Sequence, residues 1–210
     1  MKSCFVKILG FFLAGTLVMG CAPEKKSLFE GSGDIGDCKF PGSVQYDASL
    51  DRYTLEAAGL NLWGETDAFF MVWNEVSGDF SLSADIAFEG EGVNAHRKMG
   101  LMIREKLTPG SRYADVAVHG DGLTSLQYRE SENGVTAELV SVNKAPNKIY
   151  LERRGNTISI KTGIGSLGKT SDASLDLALP EDCYVGLFLC SHEESVVEKA
   201  YFSNVVFKKL

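Results

Sequence analysis

The feature that most constrains the fold is an apolar–polar alternation with a period of two residues, repeated along the chain beyond residue 33. It is clearest in residues 80–88 (FSLSADIAF) and 156–161 (NTISIK). Successive side chains of a β-strand point to opposite faces, so the pattern predicts strands with one buried face and one wet face. Comparable runs occupy residues 53–57, 68–74, 98–105, 113–119, 123–129, 136–140, 148–153, 184–190 and 200–207.

Turn-forming sequences separate these runs, and no segment sustains a helical period. Asn133-Gly134 predicts a tight type I′ hairpin, whose two central residues need positive φ. Residues 175–179 are assigned a single helical turn. About a dozen short, regularly spaced strands predict an all-β fold, a sandwich of two antiparallel sheets. No change of composition marks a second domain.

Residues 1–20 have the pattern of a secretory signal peptide, since basic residues precede an apolar run over 8–19 that is too short to span a bilayer. The run ends in Val-Met-Gly-Cys, which resembles a bacterial lipobox and implies cleavage before Cys21 and lipid attachment to its thiol. We expect an outer-membrane lipoprotein of the bacterial cell envelope that meets the membrane through this anchor only. A polar tether over 21–33 would lead to one domain over 34–210. An ordinary signal peptide with a chance cysteine is the alternative.

Charge and the remaining cysteines bear on partners and cofactors. The chain has a net charge of −7 at pH 7, and an acidic surface repels phosphate backbones, so nucleic acid is not a predicted partner. Cys38, Cys183 and Cys190 are compatible with one disulfide plus a thiol, or with three buried thiols. The sequence contains no C-x-x-C pair, so it does not indicate a structural zinc site. Acidic loops are present, but no EF-hand spacing supports a calcium site. No cofactor is predicted.

Several segments resemble the concanavalin A-like jelly-roll modules typified by DUF1349 domains, which occur alone or attached to TolB-like propellers. They are spread over nearly the whole mature chain: NLWG (61–64), SGDF (77–80), HRKMGLMIR (96–104), HGDGL (119–123), LQYR (126–129), ERRGN (152–156) and FSNV (202–205). The resemblance implies a jelly-roll sandwich with the fold of lectins and glycosidases. Because one fold hosts many functions, it implies no particular activity.

The alternation also assigns polar side chains to one face of the strands at 98–105, 113–119 and 123–129. Short connections make these strands neighbours. Their guanidinium, amide and carboxylate groups suit sugar hydroxyls or uronate carboxylates, with Tyr113 and Met102 as an apolar platform. Solvated strand residues with cross-strand ion pairs are the alternative. The predicted ligand-binding residues are Lys98, Met102, Arg104, Tyr113, Asp115, His119, Gln127, Arg129 and, from a neighbouring strand, Trp73.

The predicted function is a surface-anchored, lectin-like module that binds carbohydrate without catalysis. A glycoside hydrolase or lyase that uses Asp115 or His119 with Arg129 is one alternative, although no catalytic residue is assigned. A protein-interaction module of an envelope complex is another. Trp63 is placed in a loop, and His96 and His192, isolated in sequence, are interpreted as surface or packing residues.

Overall fold

The computed structural model describes residues 26–210, in which every regular element is a β-strand. This part of the chain therefore contains no helix that could cross a membrane. The strands are β1 (Gly31–Ile35), β2 (Ser43–Asp47), β3 (Arg52–Ala57), β4 (Asn61–Trp63), β5 (Thr66–Ser77), β6 (Phe80–Phe88), β7 (Lys98–Arg104), β8 (Tyr113–His119), β9 (Thr124–Arg129), β10 (Ala137–Val140), β11 (Lys148–Arg154), β12 (Thr157–Gly163), β13 (Ala173–Asp176), β14 (Asp182–Cys190) and β15 (Glu198–Lys209). The predicted signal peptide and the Cys21 lipidation site lie outside the described residues.

The strands form two antiparallel sheets packed face to face. The front sheet has the order β1-β5-β14-β7-β8-β9-β10, with the short β4 added to β5. The back sheet has the order β13-β12-β11-β6-β15-β3-β2. The predicted all-β sandwich of two antiparallel sheets is confirmed.

The main core lies between the sheets and follows the alternation. In β6, Phe80, Leu82 and Ile86 point into it, and in β7 Leu101 lies opposite Val116 of β8. Burying a side chain of this size contributes roughly 1.5–3 kcal/mol relative to leaving it in water. The apolar half of each alternating strand is therefore what holds the two sheets together.

A second, smaller apolar cluster lies on the outer face of the front sheet. It includes Phe69 and Met71 of β5, Met102 of β7 and Phe188 of β14. As a result, every residue of β7 and of β8 is buried. The prediction of one wet face is wrong for these strands, because the alternation shows which side chains share a face but not what covers that face.

Two local predictions are also wrong. Strands β9 and β10 do form an antiparallel hairpin, but residues 130–136 connect them, and only Asn133 of the Asn133-Gly134 pair has positive φ, 57°. This is a longer loop and not a two-residue type I′ turn. Of residues 175–179, Leu175 and Asp176 belong to strand β13, which pairs with β12, and 177–179 follow it without a helical turn.

The ordered sandwich begins earlier than the predicted boundary at residue 34. Leu28 and Phe29 pack against the main core, and the backbone N–H of Leu28 donates to the Tyr53 hydroxyl at 2.5 Å. Strand β1 then pairs with β5 from Gly31 onwards. The tether predicted over 21–33 therefore overlaps the first strand, which was missed because Gly-Ser-Gly has low strand propensity.

Among residues 26–210, Cys38, Cys183 and Cys190 are free thiols. Cys183 and Cys190 are buried, and Cys38 is half-buried. Of the two arrangements compatible with the sequence, the structure has the three thiols and no disulfide among them.

Candidate ligand-binding site

The predicted polar residues of β7, β8 and β9 share the outer face of the front sheet. Lys98 lies opposite His119 and Arg104 opposite Tyr113, while Asp115 lies opposite Gln127. The core residues alternate with them on the inner face. Both the neighbourhood of the three strands and the choice of face agree with the sequence-based prediction.

The face is nevertheless covered along most of its length. Arg104, Asp115, Gln127 and Arg129 have no exposed surface. The covering segments are β4 with the turn after it, the β7–β8 connection and the β9–β10 connection. They are joined to one another by backbone hydrogen bonds, such as Asp67 N–H to Pro109 O at 3.1 Å and Thr136 N–H to Gly64 O at 2.9 Å.

Arg104 and Arg129 hold these segments down and are not available to a ligand. Arg129 makes a bidentate pair with Asp67, at 2.7 Å to Oδ1 and 2.9 Å to Oδ2, and Arg104 donates to Oδ2 at 3.3 Å. The N–H groups of the two guanidinium groups also donate to backbone carbonyls of the covering segments: those of Lys106, Thr108, Pro109, Ser111, Gly64 and Gly134. The prediction that these two arginines contact a ligand is therefore corrected to a structural role.

The side chains of Tyr113, Met102 and Trp73 also contact other side chains of the protein. The Tyr113 ring lies beneath the Arg129 guanidinium, 5.0 Å from its centroid, and its hydroxyl is 3.1 Å from Thr136 Oγ1. Met102 Sδ accepts a hydrogen bond from Arg104 at 3.5 Å. Trp73 packs over the glycines of β1 and edge-on against Tyr184. The predicted apolar platform of Tyr113 and Met102 is wrong, because protein covers both side chains, and the half-buried Trp73 packs against β1 and Tyr184.

The other end of the same face is open and forms a cavity of about 250 Å³, which we call the histidine pocket. Three of the predicted residues, Lys98, His119 and Gln127, line it. The residues that complete its lining are Trp63, His96, Leu123, Glu138 and His192. Asp115 lies directly opposite Gln127 on the neighbouring strand β8 and is not in the pocket's lining.

Lys98 supplies the cation of the histidine pocket. The side chain is 2% exposed, and its Nζ donates to the Leu62 carbonyl at 2.8 Å and lies 5.5 Å from the Trp63 ring centroid. Burial lowers the pKa of Lys98, and the nearby Cys190, Asp115 and Glu138 partly oppose that effect. An ammonium group has three donors, so two are left to face the pocket.

Three histidines converge at the ends of adjacent strands. His96 Nδ1 lies 3.4 Å from His119 Nδ1, and the His96 and His192 rings are 5.7 Å apart. Burial, followed by the charges of Lys98 and His96, lowers the pKa of His119 to about 3. The imidazole is therefore neutral at neutral pH, and one ring nitrogen is an acceptor. Among residues 26–210, no group of three or more His, Cys, Asp or Glu side chains could hold a metal ion.

Unpaired buried polar atoms are concentrated on this part of the sheet. Asp115 Oδ1 and Oδ2, Ser125 Oγ, Gln127 Oε1 and Glu138 Oε2 are buried without a hydrogen-bond partner among the described residues. The Gln127 amide touches His119 through one atom only, at 3.4 Å, so its other polar atom lacks a protein partner in either amide orientation. Burial raises the pKa of Asp115 well above its usual range, since it disfavours the charged carboxylate.

Sequence reasoning missed Trp63, His96, His192 and Glu138. Trp63 lies in β4, and Glu138 pairs with Gln127 across β9 and β10. Cys190, Lys98 and His119 form one row across β14, β7 and β8. His192 follows β14 and His96 precedes β7 by two residues each, so both lie near His119, the last residue of β8. The β7–β8 hairpin was readable from sequence, but the position of β14 beside β7 depends on the topology of the whole sheet.

No protein-family model matches the sequence, and no curated protein matches it significantly. Solved structures do match. A functionally unknown protein from Saccharomyces cerevisiae has a TM-score of 0.63 at 17% identity, covering 85% of this chain and 96% of its own. The carbohydrate-binding module CBM66 from Bacillus subtilis has a TM-score of 0.52 at 15% identity, covering 88% and 99%. The alginate lyase A1-II′, of polysaccharide lyase family 7, has a TM-score of 0.52 at 6% identity, covering 79% and 82%.

At these identities the likeness shows the fold and nothing further. The chain has the concanavalin A-like jelly-roll fold. Because proteins of this architecture have different functions, any function has to be argued from the histidine pocket itself.

Proposed function

We propose that the protein is a non-catalytic, lectin-like module that binds carbohydrate in the histidine pocket. The observation that carries this proposal is the set of unpaired buried polar atoms at this end of the face, above all those of Gln127 and Glu138, which line the pocket together with Lys98. A buried polar atom without a partner costs about 1–3 kcal/mol. A ligand rich in hydroxyl groups would remove that cost, since each hydroxyl both donates and accepts.

The remaining lining supports the same ligand class. Trp63 keeps 37% of its surface exposed, so part of its indole is free to pack on the apolar face of a sugar ring. A cavity of about 250 Å³ is smaller than the roughly 300–1,000 Å³ typical of sites for drug-sized ligands. We therefore infer that the pocket receives one sugar residue or one chain end. The matches to a carbohydrate-binding module and a polysaccharide lyase agree with this ligand class.

The same geometry favours binding over catalysis. A general base works best with a pKa near the operating pH, whereas the pKa of His119 is lowered to about 3, which makes it a weak base. Asp115, the carboxyl predicted for a hydrolase, has no exposed surface and does not line the pocket. Arg129, its predicted partner, donates its hydrogen bonds to Asp67 and to backbone carbonyls.

Binding would be tested on a panel of polysaccharides and oligosaccharides, followed by titration calorimetry on the ligands retained. Trp63→Ala and Gln127→Ala should each weaken binding about tenfold or more, because they remove a stacking surface and a hydrogen-bonding amide. Phe40→Ala is the matched control, because this ring has a similar exposure, 41%, and does not line the pocket. Circular dichroism would verify that each variant is folded.

Two results would contradict the proposal. If the wild-type protein retains no carbohydrate, the pocket has another ligand, and co-purification with an envelope protein would then support the interaction-module alternative. If both pocket variants bind as well as the wild type, carbohydrate binds elsewhere. Release of reducing ends or of unsaturated sugars from the same panel would instead establish the hydrolase or lyase.

We also propose, from the sequence alone, that the module is a lipoprotein of the bacterial outer membrane anchored through Cys21. Strand β1 starts only ten residues after Cys21, so the domain would be held close to the membrane surface. A module in this position would present its pocket to polysaccharide near the cell envelope.

A further inference from the structure

The buried Lys98 ammonium differs from the other buried cations of the front sheet. Arg104 and Arg129 share the Asp67 carboxylate, and Arg97 pairs with Glu198 at 2.5 Å. Among residues 26–210, no carboxylate oxygen lies within salt-bridge distance of Lys98 Nζ, whose only hydrogen bond is to the Leu62 carbonyl. An unpaired buried charge is costly, so its retention at the wall of a cavity calls for an anionic partner from outside the protein.

Nearby acidic residues do not supply that partner. Asp115 does not line the pocket and makes no salt bridge to Lys98 among the described residues, and burial raises the pKa of this carboxyl, which disfavours its charged form. Glu138 lies on the edge strand β10, three strand positions from β7 in the sheet order. Neighbouring strands are about 4.8 Å apart, so the two backbones are separated by roughly 14 Å. Among the described residues, the Glu138 carboxylate makes no salt bridge to Lys98, and its buried Oε2 has no hydrogen-bond partner.

We propose that the histidine pocket is specific for an acidic sugar, a uronate whose carboxylate binds the Lys98 ammonium. This inference rests on the proposed carbohydrate-binding function and adds the charge of the ligand. The carboxylate would accept from the two free donors of Lys98, while Trp63 packs on the ring and the unpaired Glu138 Oε2 accepts from a ring hydroxyl. The pKa of His119 is lowered to about 3, so its imidazole is neutral at neutral pH, and Lys98 is the amine on this wall that the carboxylate would meet.

The test compares sugars that differ only at the C6 carbon: D-glucuronate with D-glucose, and D-galacturonate with D-galactose, each as the free sugar and at the end of an oligosaccharide. Titration calorimetry of the wild-type protein should give about ten- to hundredfold tighter binding for the uronate of at least one pair, the range expected for a charge-assisted hydrogen bond. The preference should shrink as sodium chloride is raised.

Lys98→Met tests the residue itself. Methionine keeps the apolar stem and removes the charge, so the uronate preference should disappear while the melting temperature rises, because an unpaired buried charge is gone. Lys98→Gln is the second variant, in case methionine impairs folding. A merely structural lysine would give the opposite result, a fall in melting temperature with the preference unchanged.

The outcomes separate this inference from the proposed function. If neutral sugars bind as tightly as their uronates, the pocket binds carbohydrate but the acidic specificity is wrong. If the uronate preference survives in both Lys98 variants, another cation is responsible and the assignment to Lys98 fails. If neither member of a pair binds and the polysaccharide panel is also negative, the proposed function itself fails.

Discussion

The stability of the segments that cover the front sheet depends on the carboxylate of Asp67. It is 3% exposed and accepts from two guanidinium groups, at 2.7 and 2.9 Å from Arg129 and 3.3 Å from Arg104. We predict that Asp67→Asn strongly destabilises the protein. The amide keeps the shape but loses the charge, and its NH2 group turns two donors toward guanidinium donors.

The magnitude follows from the number of charges left uncompensated. Removing one partner of a buried ion pair costs about 3–5 kcal/mol, and here one carboxylate serves two arginines that have no exposed surface, so we expect the upper part of that range. For a domain of 150–250 residues, each kcal/mol lowers the melting temperature by about 2–4 °C. A loss of roughly 4–5 kcal/mol therefore corresponds to a fall of roughly 8–20 °C.

Urea denaturation followed by circular dichroism would measure this loss. Asp121→Asn is the control, since this exposed residue caps its turn by accepting from Leu123 N–H at 2.9 Å, as an asparagine also can; its effect should stay within about 0.5 kcal/mol. Hydrogen exchange should also accelerate in the connections that the arginines hold, 105–112 and 130–136. A loss below about 1 kcal/mol in Asp67→Asn would refute the view that the cluster holds this layer in place.

Two further predictions concern pH and anchoring. The pKa of His119 is lowered to about 3 from 6.5, so below pH 6.5 the unfolded state binds a proton that the folded state does not, and stability falls with falling pH. This group alone should lower the free energy of unfolding by about 2.5 kcal/mol between pH 7 and pH 4.5. The His119→Gln variant should lose that part of the pH dependence, whereas a variant of the exposed His96, His96→Gln, should retain it. Equal pH profiles for the wild type and His119→Gln would contradict the reasoning. Cys21→Ser should move the protein from the membrane fraction to the soluble fraction and remove the lipid mass from its N-terminus, and an unchanged distribution would exclude the Cys21 anchor.

Local patterns were enough to find most of the strands. The alternation in 80–88 and 156–161 predicted β6 and β12 because every second side chain in them, such as Leu82 and Ile158, enters the core between the sheets. Four short strands were missed, β1, β2, β4 and β13. Of these, β1 (Gly-Ser-Gly-Asp-Ile) and β4 (three residues) have little apolar periodicity. Their places depend on backbone pairing with β5, which a local pattern does not report.

The candidate site was only partly predictable for a related reason. Alternation correctly assigned Lys98, His119 and Gln127 to one face and one neighbourhood, because pairing of successive strands by short connections is a local property. It also assigned Arg104 and Arg129 to that face, but it did not predict Asp67. That carboxylate comes from a strand more than thirty residues earlier in the chain, and its two short contacts turn a predicted ligand surface into a structural cluster.

By itself, then, the sequence determined the fold class, the strand periodicity and the face on which each polar side chain lies, because these follow from the geometry of a single strand and its immediate neighbours. Only the tertiary structure decided which part of that face is covered and which part is open. Coverage depends on contacts between segments far apart in sequence, such as β4 lying over Lys98 and β14 bringing His192 beside His96. The cavity where a ligand would bind exists only once those distant segments have met.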